Sequence, residues 1–320
     1  MNINNPKILT VTDGSQGMIS QTRGLAYELS NDINEMVIDV IFPWNILQPG
    51  ILPPYKWIFK KNISLNKIPE ILISCGRKSV YLSIYLKKKY PKLINIHIQN
   101  PKISSKNFSL IVAPNHDKFE GNNIINSIGA LHNFKIKNYI KADVNQNKKK
   151  LVSCIIGGEN NHYLFSKIEA KILCKKIKQL KINNPNIQVL VITSRRTTDE
   201  IKNLLVNELK SIAKIWIGEG ENPYEFSLYN SDFFIISSDS TSMISEASIS
   251  GKPIYVFKLP FKRRSLRFIR FHREFEELNI TRDLLSTNNL ENWSYNKLCE
   301  SERIAGIIKE RIIQGIDDSK

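Results

Sequence analysis

Residues 237–253, SSDSTSMISEASISGKP, combine small hydroxyl side chains with one carboxylate at helical spacing behind them. At a helix start, the amides of Ser240, Thr241 and Ser242 have no intrahelical acceptor, and the helix dipole adds positive potential, so the turn suits a phosphate or pyrophosphate. Glu246 falls on the second turn, where its two oxygens match a vicinal diol; in a purely structural helix it is a solvated carboxylate. Ser194-Arg195-Arg196 directly follows an apolar run. Guanidinium forks there can grip a phosphate through paired hydrogen bonds, the plainer alternative being an exposed basic pair leading into a helix.

Two glycine-containing loops also follow apolar runs. Thr12-Asp13-Gly14-Ser15-Gln16-Gly17 brings backbone amides within reach of an anion through Gly14 and Gly17, or is simply a tight turn. Asp13 at a strand end is a candidate general base toward a hydroxyl. Gly157-Gly158-Glu159-Asn160 occupies the corresponding place in the second half of the chain, and the repetition points to ligand contact at Gly157 and Gly158. His116 beside Asp117 is a second candidate base or a chance surface pair. Asn222, in the turn-rich 219–224, borders the same site or belongs to a connecting turn.

These loops need a frame to hold them, and the pattern supplies one. Runs at 8–11, 36–41, 71–74, 94–98 and 110–113 are β-branched with little polar alternation, as in parallel strands covered on both faces. Helical spacing at 18–29 and 78–88 separates several of them. The polar stretch 138–150 then reads as a boundary, and the pattern restarts. Strands are expected at 151–156, 189–193, 215–217, 233–237 and 254–257. Helices are expected from Ser166, where Glu169 completes a capping box, over 198–209, and after Ser240. The expectation is α/β: two Rossmann-like domains, 1–140 and 151–300, facing a cleft, with a helix at 301–320 packing back on the first domain. Ligands of such sheets bind beyond the carboxyl ends of the strands.

With 42% hydrophobic residues over 320 positions, there is apolar material for two cores. No apolar run reaches the ~18 residues needed to span a bilayer, and the N-terminus lacks a signal-peptide pattern, so a cytoplasmic location is expected. The four cysteines are too scattered for a zinc or redox motif, and neither metal nor cofactor is expected. A net charge of +16 fits nucleic acid, anionic lipid or a phosphorylated substrate. The aromatic–basic motifs of common RNA modules are missing, which removes nucleic acid from the expected partners.

In order along the chain, TDGSQGMISQTRGLA at 12–26, CGRKS at 75–79, IQNP at 98–101, APNHD at 113–117 and SIGALH at 127–132 resemble the mitochondrial-fission ELM family. So do IGGENNHY at 156–163, TSRRT at 193–197, GEGENPY at 218–224 and DSTSMISEASISGKP at 239–253. The resemblance implies a GT-B-like fold and a glycosyltransferase moving sugar from a nucleoside-diphosphate-sugar to a lipid-linked or polysaccharide acceptor, with an acceptor-side first domain and a donor-side second domain. It also leaves a sugar-nucleotide epimerase or a non-catalytic scaffold as alternatives. Residues 237–253 also resemble the donor-binding segment of GT-B enzymes, and that likeness implies for Glu246 the role of their ribose-binding glutamate. Where the family motif has a proline or acidic residue beside the paired glycines, this chain has Glu159-Asn160-Asn161.

Residues 257–275, FKLPFKRRSLRFIRFHREF, concentrate basic charge. On a helix Phe268, Phe271, Phe275 and Leu278 form one stripe, opposite Arg263, Arg267 and Arg270. Either the stripe packs on the second domain, or 261–275 makes a peripheral contact with the inner, anionic face of a membrane.

Overall fold

The computed structural model describes residues 5–65, 67–135 and 149–317. The chain forms two compact units: Met1–Phe134 together with Cys299–Lys320, and Lys135–Leu298. The boundary stretch 138–150 lies outside the described residues apart from Lys149 and Lys150.

Unit 1 is a parallel six-stranded sheet in the order β2-β1-β3-β4-β5-β6. Its strands are β1 (Ile8–Thr12), β2 (Ile33–Val37), β3 (Ile71–Cys75), β4 (Ile94–Ile98), β5 (Leu110–Pro114) and β6 (Ile124–Ser127). The apolar runs are continuous because both faces are covered. Ile8, Ile71, Ile73, Ile96 and Ile98 pack with α1 (Gln16–Leu29) and α8 (Glu300–Asp317). Leu9, Val11 and Leu72 pack on the other side with Tyr81, Leu82 and Leu86 of α2 (Arg77–Lys89). From α8 come Ile304 and Ile308, both wholly buried. Burying a side chain of this size contributes about 1.5–3 kcal/mol, so unit 1 draws appreciable stability from the end of the chain.

The second strand lies at Ile33–Val37 rather than 36–41. It is the sheet's edge, with Asn34 and Glu35 facing solvent, so the apolar run used to find strands is absent there.

Unit 2 repeats the architecture with strand order β12-β11-β10-β7-β8-β9, again all parallel. The strands are β7 (Lys150–Ile156), β8 (Ile187–Thr193), β9 (Ala213–Trp216), β10 (Phe233–Ser237), β11 (Ile254–Phe257) and β12 (Thr281–Asp283). Helices α3 (Lys167–Asn183), α4 (Asp199–Leu209), α5 (Tyr224–Asn230), α6 (Thr241–Ser248) and α7 (Leu266–Glu277) complete it. Ser166 caps α3 through the capping box with Glu169, and the Thr198 hydroxyl caps α4. Val152, Cys154, Val191, Ile235 and Tyr255 form one core with Leu173, Ile177 and Leu205. No described helix is long and apolar enough to cross a membrane.

Candidate functional site

Read from β9 inward, unit 2 has the order in which consecutive crossovers run outward in both directions from the adjacent pair β7 and β10. A crevice opens beyond the carboxyl ends of such a pair. The loops there are Gly157-Gly158-Glu159-Asn160 after β7 and Ser238-Asp239-Ser240 after β10.

Asp239 organises this crevice. Its side chain is wholly buried. Oδ1 accepts from the Ser237 hydroxyl at 2.6 Å, and Oδ2 accepts from the Gly158 amide at 3.1 Å and Arg196 Nη2 at 2.5 Å. The Gly157 amide donates to Ser237 Oγ at 2.7 Å. A Cβ on Gly157 would sit 2.1 Å from Asp239 Oδ2, and one on Gly158 would sit 2.1 Å from the Arg196 carbonyl oxygen. Close approach, not turn geometry, therefore requires both glycines. Burial pushes the Asp239 carboxyl above its ordinary value, with the Arg196 guanidinium pulling the other way.

This changes the role of the paired glycines. Their amides, expected to face an external anion, are taken by Ser237 and Asp239, and Arg196 is engaged by the same carboxylate. The reason is register: Ile155 pairs with Ile236, so Asp239, three residues on, comes level with the loop after β7. Arg195 is exposed. Ser194 is turned inward on its own loop, its hydroxyl accepting from the Arg196 amide at 3.1 Å and its amide donating to Thr197 Oγ1 at 3.0 Å.

Beyond Asp239 the chain enters α6. Ser240 Oγ caps it by accepting from the Met243 amide, and Thr241 and Ser242 form the first turn, half-buried. Glu246 is buried on the second turn, and its Oε2 accepts the Tyr224 hydroxyl. Burial and the adjacent carboxylate push the Tyr224 phenol well above its ordinary value, so it is a neutral donor. Asn222 Oδ1 accepts from the Tyr224 amide at 3.0 Å, which starts α5 and sets the tyrosine's position. Asn222, Tyr224 and Glu246 are thus one connected group, and Gly157, Gly158, Arg196 and Asp239 another. Ser240, Thr241 and Ser242 join them along the chain.

The crevice has a backing that the sequence did not reveal. Asn160 Nδ2 donates to the Asp239 carbonyl at 3.2 Å, while its Oδ1 accepts from the amides of His162 and Tyr163. Tyr163 stacks on Phe261 with ring centroids 4.7 Å apart, and Glu159 pairs with Lys262 at 2.6 Å. His272 Nε2 donates to the Ser238 carbonyl at 3.0 Å, and burial holds this imidazole down at about 4. The basic segment is therefore fastened to the crevice loops. Helix α7 begins at Leu266, leaving Arg263 ahead of it. Phe271 and Phe275 are wholly buried and Phe268 packs on the core, whereas Leu278, expected on the same stripe, caps the helix and is exposed. The apolar face is spent inside unit 2, and Arg263, Arg264 and Arg267 stay at the surface.

In unit 1 the corresponding adjacent pair is β1 and β3. Asp13 Oδ1 accepts from the Ser15 amide at 3.1 Å, and Gly14 turns with φ of +89° against Val37. Gly17 lies in the first turn of α1, where its carbonyl accepts from Gln21 Nε2 at 3.1 Å. Buried Gln21 accepts in turn from Gln99 Nε2 at 3.4 Å. His116 is buried rather than on the surface, its Nε2 3.8 Å from Asp117 Oδ1. Strands β3 and β4 separate β1 from β5, about 14 Å at the usual strand spacing, so Asp13 and His116 are alternatives rather than partners.

A family model described as "Mitochondrial fission ELM1" matches residues 16–312. An uncharacterized protein of Rickettsia prowazekii is 28% identical over 94% of this chain and 97% of its own length. Among solved structures, a UDP-GlcNAc 2-epimerase from Methanocaldococcus jannaschii superposes with a TM-score of 0.56 at 16% identity, covering 95% of this chain and 99% of the other. The glycotransferase of kitacinnamycin gives 0.53 at 11% identity, covering 97% and 94%. At these identities the likeness is one of fold, two Rossmann-like units of the GT-B kind.

Proposed function

Since this chain belongs to the Mitochondrial fission ELM1 family and carries its switch-point loops on a GT-B-like fold, we propose that unit 2 binds a nucleoside-diphosphate-sugar for glycosyl transfer. The observation that carries this reading is the continuous run from the Asp239 crevice into α6. Ser240, Thr241 and Ser242 present helix-start amides there, and Glu246 follows one turn later, oriented by Tyr224. The solved neighbours named above include a UDP-GlcNAc epimerase and a glycosyltransferase, which fits a fold used on nucleotide-sugars.

In this reading the diphosphate lies on the amides of 240–242, with Arg195 as the cation at the surface. Arg196 and the Gly157 and Gly158 amides act one step back by holding Asp239, which fixes the loop that offers those amides. Ser194 and Thr197 lock the turn carrying the arginines, Glu246 receives the pentose hydroxyls, and Asn222 holds Tyr224 in place. Unit 1 is the acceptor side, with Asp13 as base and His116 as the alternative. The acceptor hydroxyl gives its proton to the base as its oxygen bonds to the anomeric carbon. The bond from that carbon to the diphosphate breaks, and the growing negative charge is met by Arg195 and the helix-start amides. A lipid-linked or polysaccharide acceptor on the cytoplasmic side of a membrane suits the exposed basic residues of 261–275.

Thermal shift against a panel of nucleoside-diphosphate-sugars tests the binding step, since a ligand held only by the folded protein raises the melting temperature. A hit whose affinity drops about tenfold or more in Glu246→Ala by calorimetry supports the assignment, tenfold corresponding to ~1.4 kcal/mol. A panel that leaves the melting temperature unchanged, or unaltered affinity in that variant, removes it. Product analysis by NMR separates transfer from epimerisation of the same donor, and a chain that binds none of the panel answers to the scaffold reading.

A further inference from the structure

Between β2 and β3 of unit 1 the chain makes an excursion that the sugar-transfer reading does not use. Its base is a short antiparallel ribbon: Val40 bridges Phe59, the Ile41 amide donates to the Ile58 carbonyl at 2.9 Å, and the Lys60 amide to the Asp39 carbonyl at 3.0 Å. Ile38, Val40, Ile58 and Phe59 root this ribbon in the core. The head of the loop, residues 42–57, carries side chains that belong to an interior. Phe42 is 71% exposed, Ile46 66%, and Ile51 and Trp57 both 61%, with Tyr55 stacked on Trp57. A soluble surface tolerates single exposed hydrophobes, but five within sixteen residues on one loop mark an interaction surface.

The loop is also held in shape. The Arg77 guanidinium donates to the carbonyls of Asn45, Ile46 and Leu47. Trp44 Nε1 donates to the Pro53 carbonyl at 3.1 Å, and Gln48 Nε2 to the Lys102 carbonyl at 2.9 Å. Carbonyls at 45–47 and 53 are thus taken within the protein while Phe42, Ile46, Ile51, Tyr55 and Trp57 face out, so the loop has little ordering entropy left to lose on contact. Charge narrows the choice of occupant. Residues 41–69 contain no aspartate or glutamate and four lysines, of which exposed Lys56 lies between Tyr55 and Trp57 and exposed Lys61 four residues beyond. Aliphatic tips, a stacked Tyr–Trp pair and adjacent lysines are the side-chain set that partitions into the interface of an anionic bilayer.

We propose that residues 42–57 of unit 1 dip into the interface of a membrane rich in anionic lipid, with Phe42, Ile46, Ile51, Tyr55 and Trp57 as the inserted side chains and Lys56 and Lys61 over the headgroups. The Ile38 amide donates to the Thr12 carbonyl, so the loop leaves the sheet beside the turn that holds Asp13. The membrane contact would therefore bring lipid to the functional edge of unit 1. This surface stands whether or not unit 2 takes a nucleotide-sugar.

The test is flotation of the full chain with phosphatidylglycerol–phosphatidylcholine vesicles, without any donor, alongside tryptophan quenching by brominated phosphatidylcholine. Wild type should float, and its fluorescence should be quenched less in Trp57→Phe, because Trp57 is the exposed indole of the loop. The combined Phe42→Ser, Ile46→Ser and Ile51→Ser variant, checked for an unchanged melting temperature, should lose about tenfold or more in partition coefficient, as expected when three apolar side chains leave an interface. Lys56→Glu with Lys61→Glu should weaken binding most at low salt. Failure of wild type to float, or equal partitioning of the serine variant, overturns the proposal. So does a concentration-dependent dimer that the serine variant abolishes without any flotation, because the occupant is then a second copy. Thermal shift with nucleotide-sugars in the absence of vesicles reports on unit 2 separately.

Discussion

Removing the Asp239 carboxylate should destabilise unit 2 in a way that depends on what replaces it. In Asp239→Ala the Ser237 hydroxyl and the Gly158 amide lose their acceptor inside the protein, while Arg196, partly exposed, can turn to solvent. Two buried groups left unsatisfied cost about 1–3 kcal/mol each, and relief from burying a charge returns part of this, so a net loss of roughly 2–4 kcal/mol is expected. Asp239→Asn should cost less, about 1 kcal/mol. Its oxygen can still accept from Gly158 and Arg196, and its amide can donate to Ser237 Oγ once that hydroxyl turns. Gly157→Ala should be at least as damaging as Asp239→Ala, because the added methyl carbon would lie 2.1 Å from the carboxylate oxygen. Combining Gly157→Ala with Asp239→Ala should then cost much less than the two singles together, since the second change vacates the space the first one needs. Urea unfolding followed by circular dichroism, read at the unit 2 transition, measures all four. Additive losses in the double variant, or alanine and asparagine behaving alike at 239, would refute the packing described for this crevice.

Acid should weaken the protein through its buried histidines. His97, bonded through Nδ1 to Ser74 Oγ, and His272 are held by burial at about 3 and about 4 against an ordinary 6.5. The unfolded chain protonates first as pH falls, so their contribution is complete above 6.5 and is lost on the way down toward 4, on the order of a few kcal/mol together. Asp239, raised by burial, works in the opposite sense and offsets part of that loss. Melting temperatures from pH 7 to 4.5 should drop, and a His97→Asn, His272→Gln variant should show a flatter profile; equal slopes would contradict this. Gly24→Ala would favour an isolated helix by about 1 kcal/mol, yet here the methyl would meet the His132 carbonyl oxygen at 2.3 Å, so a net loss of about 2 kcal/mol or more is expected by chemical denaturation. Changing Arg263, Arg267 and Arg270 to Glu should reduce flotation with anionic vesicles at low salt, and unchanged partitioning would leave the basic segment without a membrane role.

The interior strands were legible because both faces of each sheet are covered, which makes β1, β3, β7 and β10 mostly apolar, broken only by a few Thr, Ser and Lys residues and without polar alternation. The edges were not. Solvent claims one side of β2, and β12 is only Thr281-Arg282-Asp283, a segment whose strand character comes from pairing with β11 alone. The glycines, the arginine pair, the α6 start and Glu246 could be picked out as candidates because they stand in segments that follow strands. Asp239 and Asn160 could not, because their significance depends on β7 and β10 being neighbours, a fact of sheet order rather than of local spacing. Tyr224 was hidden for the same reason: its partner Glu246 is twenty-two residues away along the chain.

The route of the chain has a consequence for how the molecule is made. Unit 1 is interrupted after Phe134 and resumes only at Cys299, so Ile304, Ile308 and Ile312, which complete the packing against α1, are synthesised only after the whole of unit 2. Unit 2 is synthesised without interruption and can close its core while the first sheet is still waiting. During that interval Leu25, Ala26 and Leu29 have no α8 beside them, so a nascent chain stalled or cut short near residue 298 would carry an apolar seam open to chaperones or to aggregation.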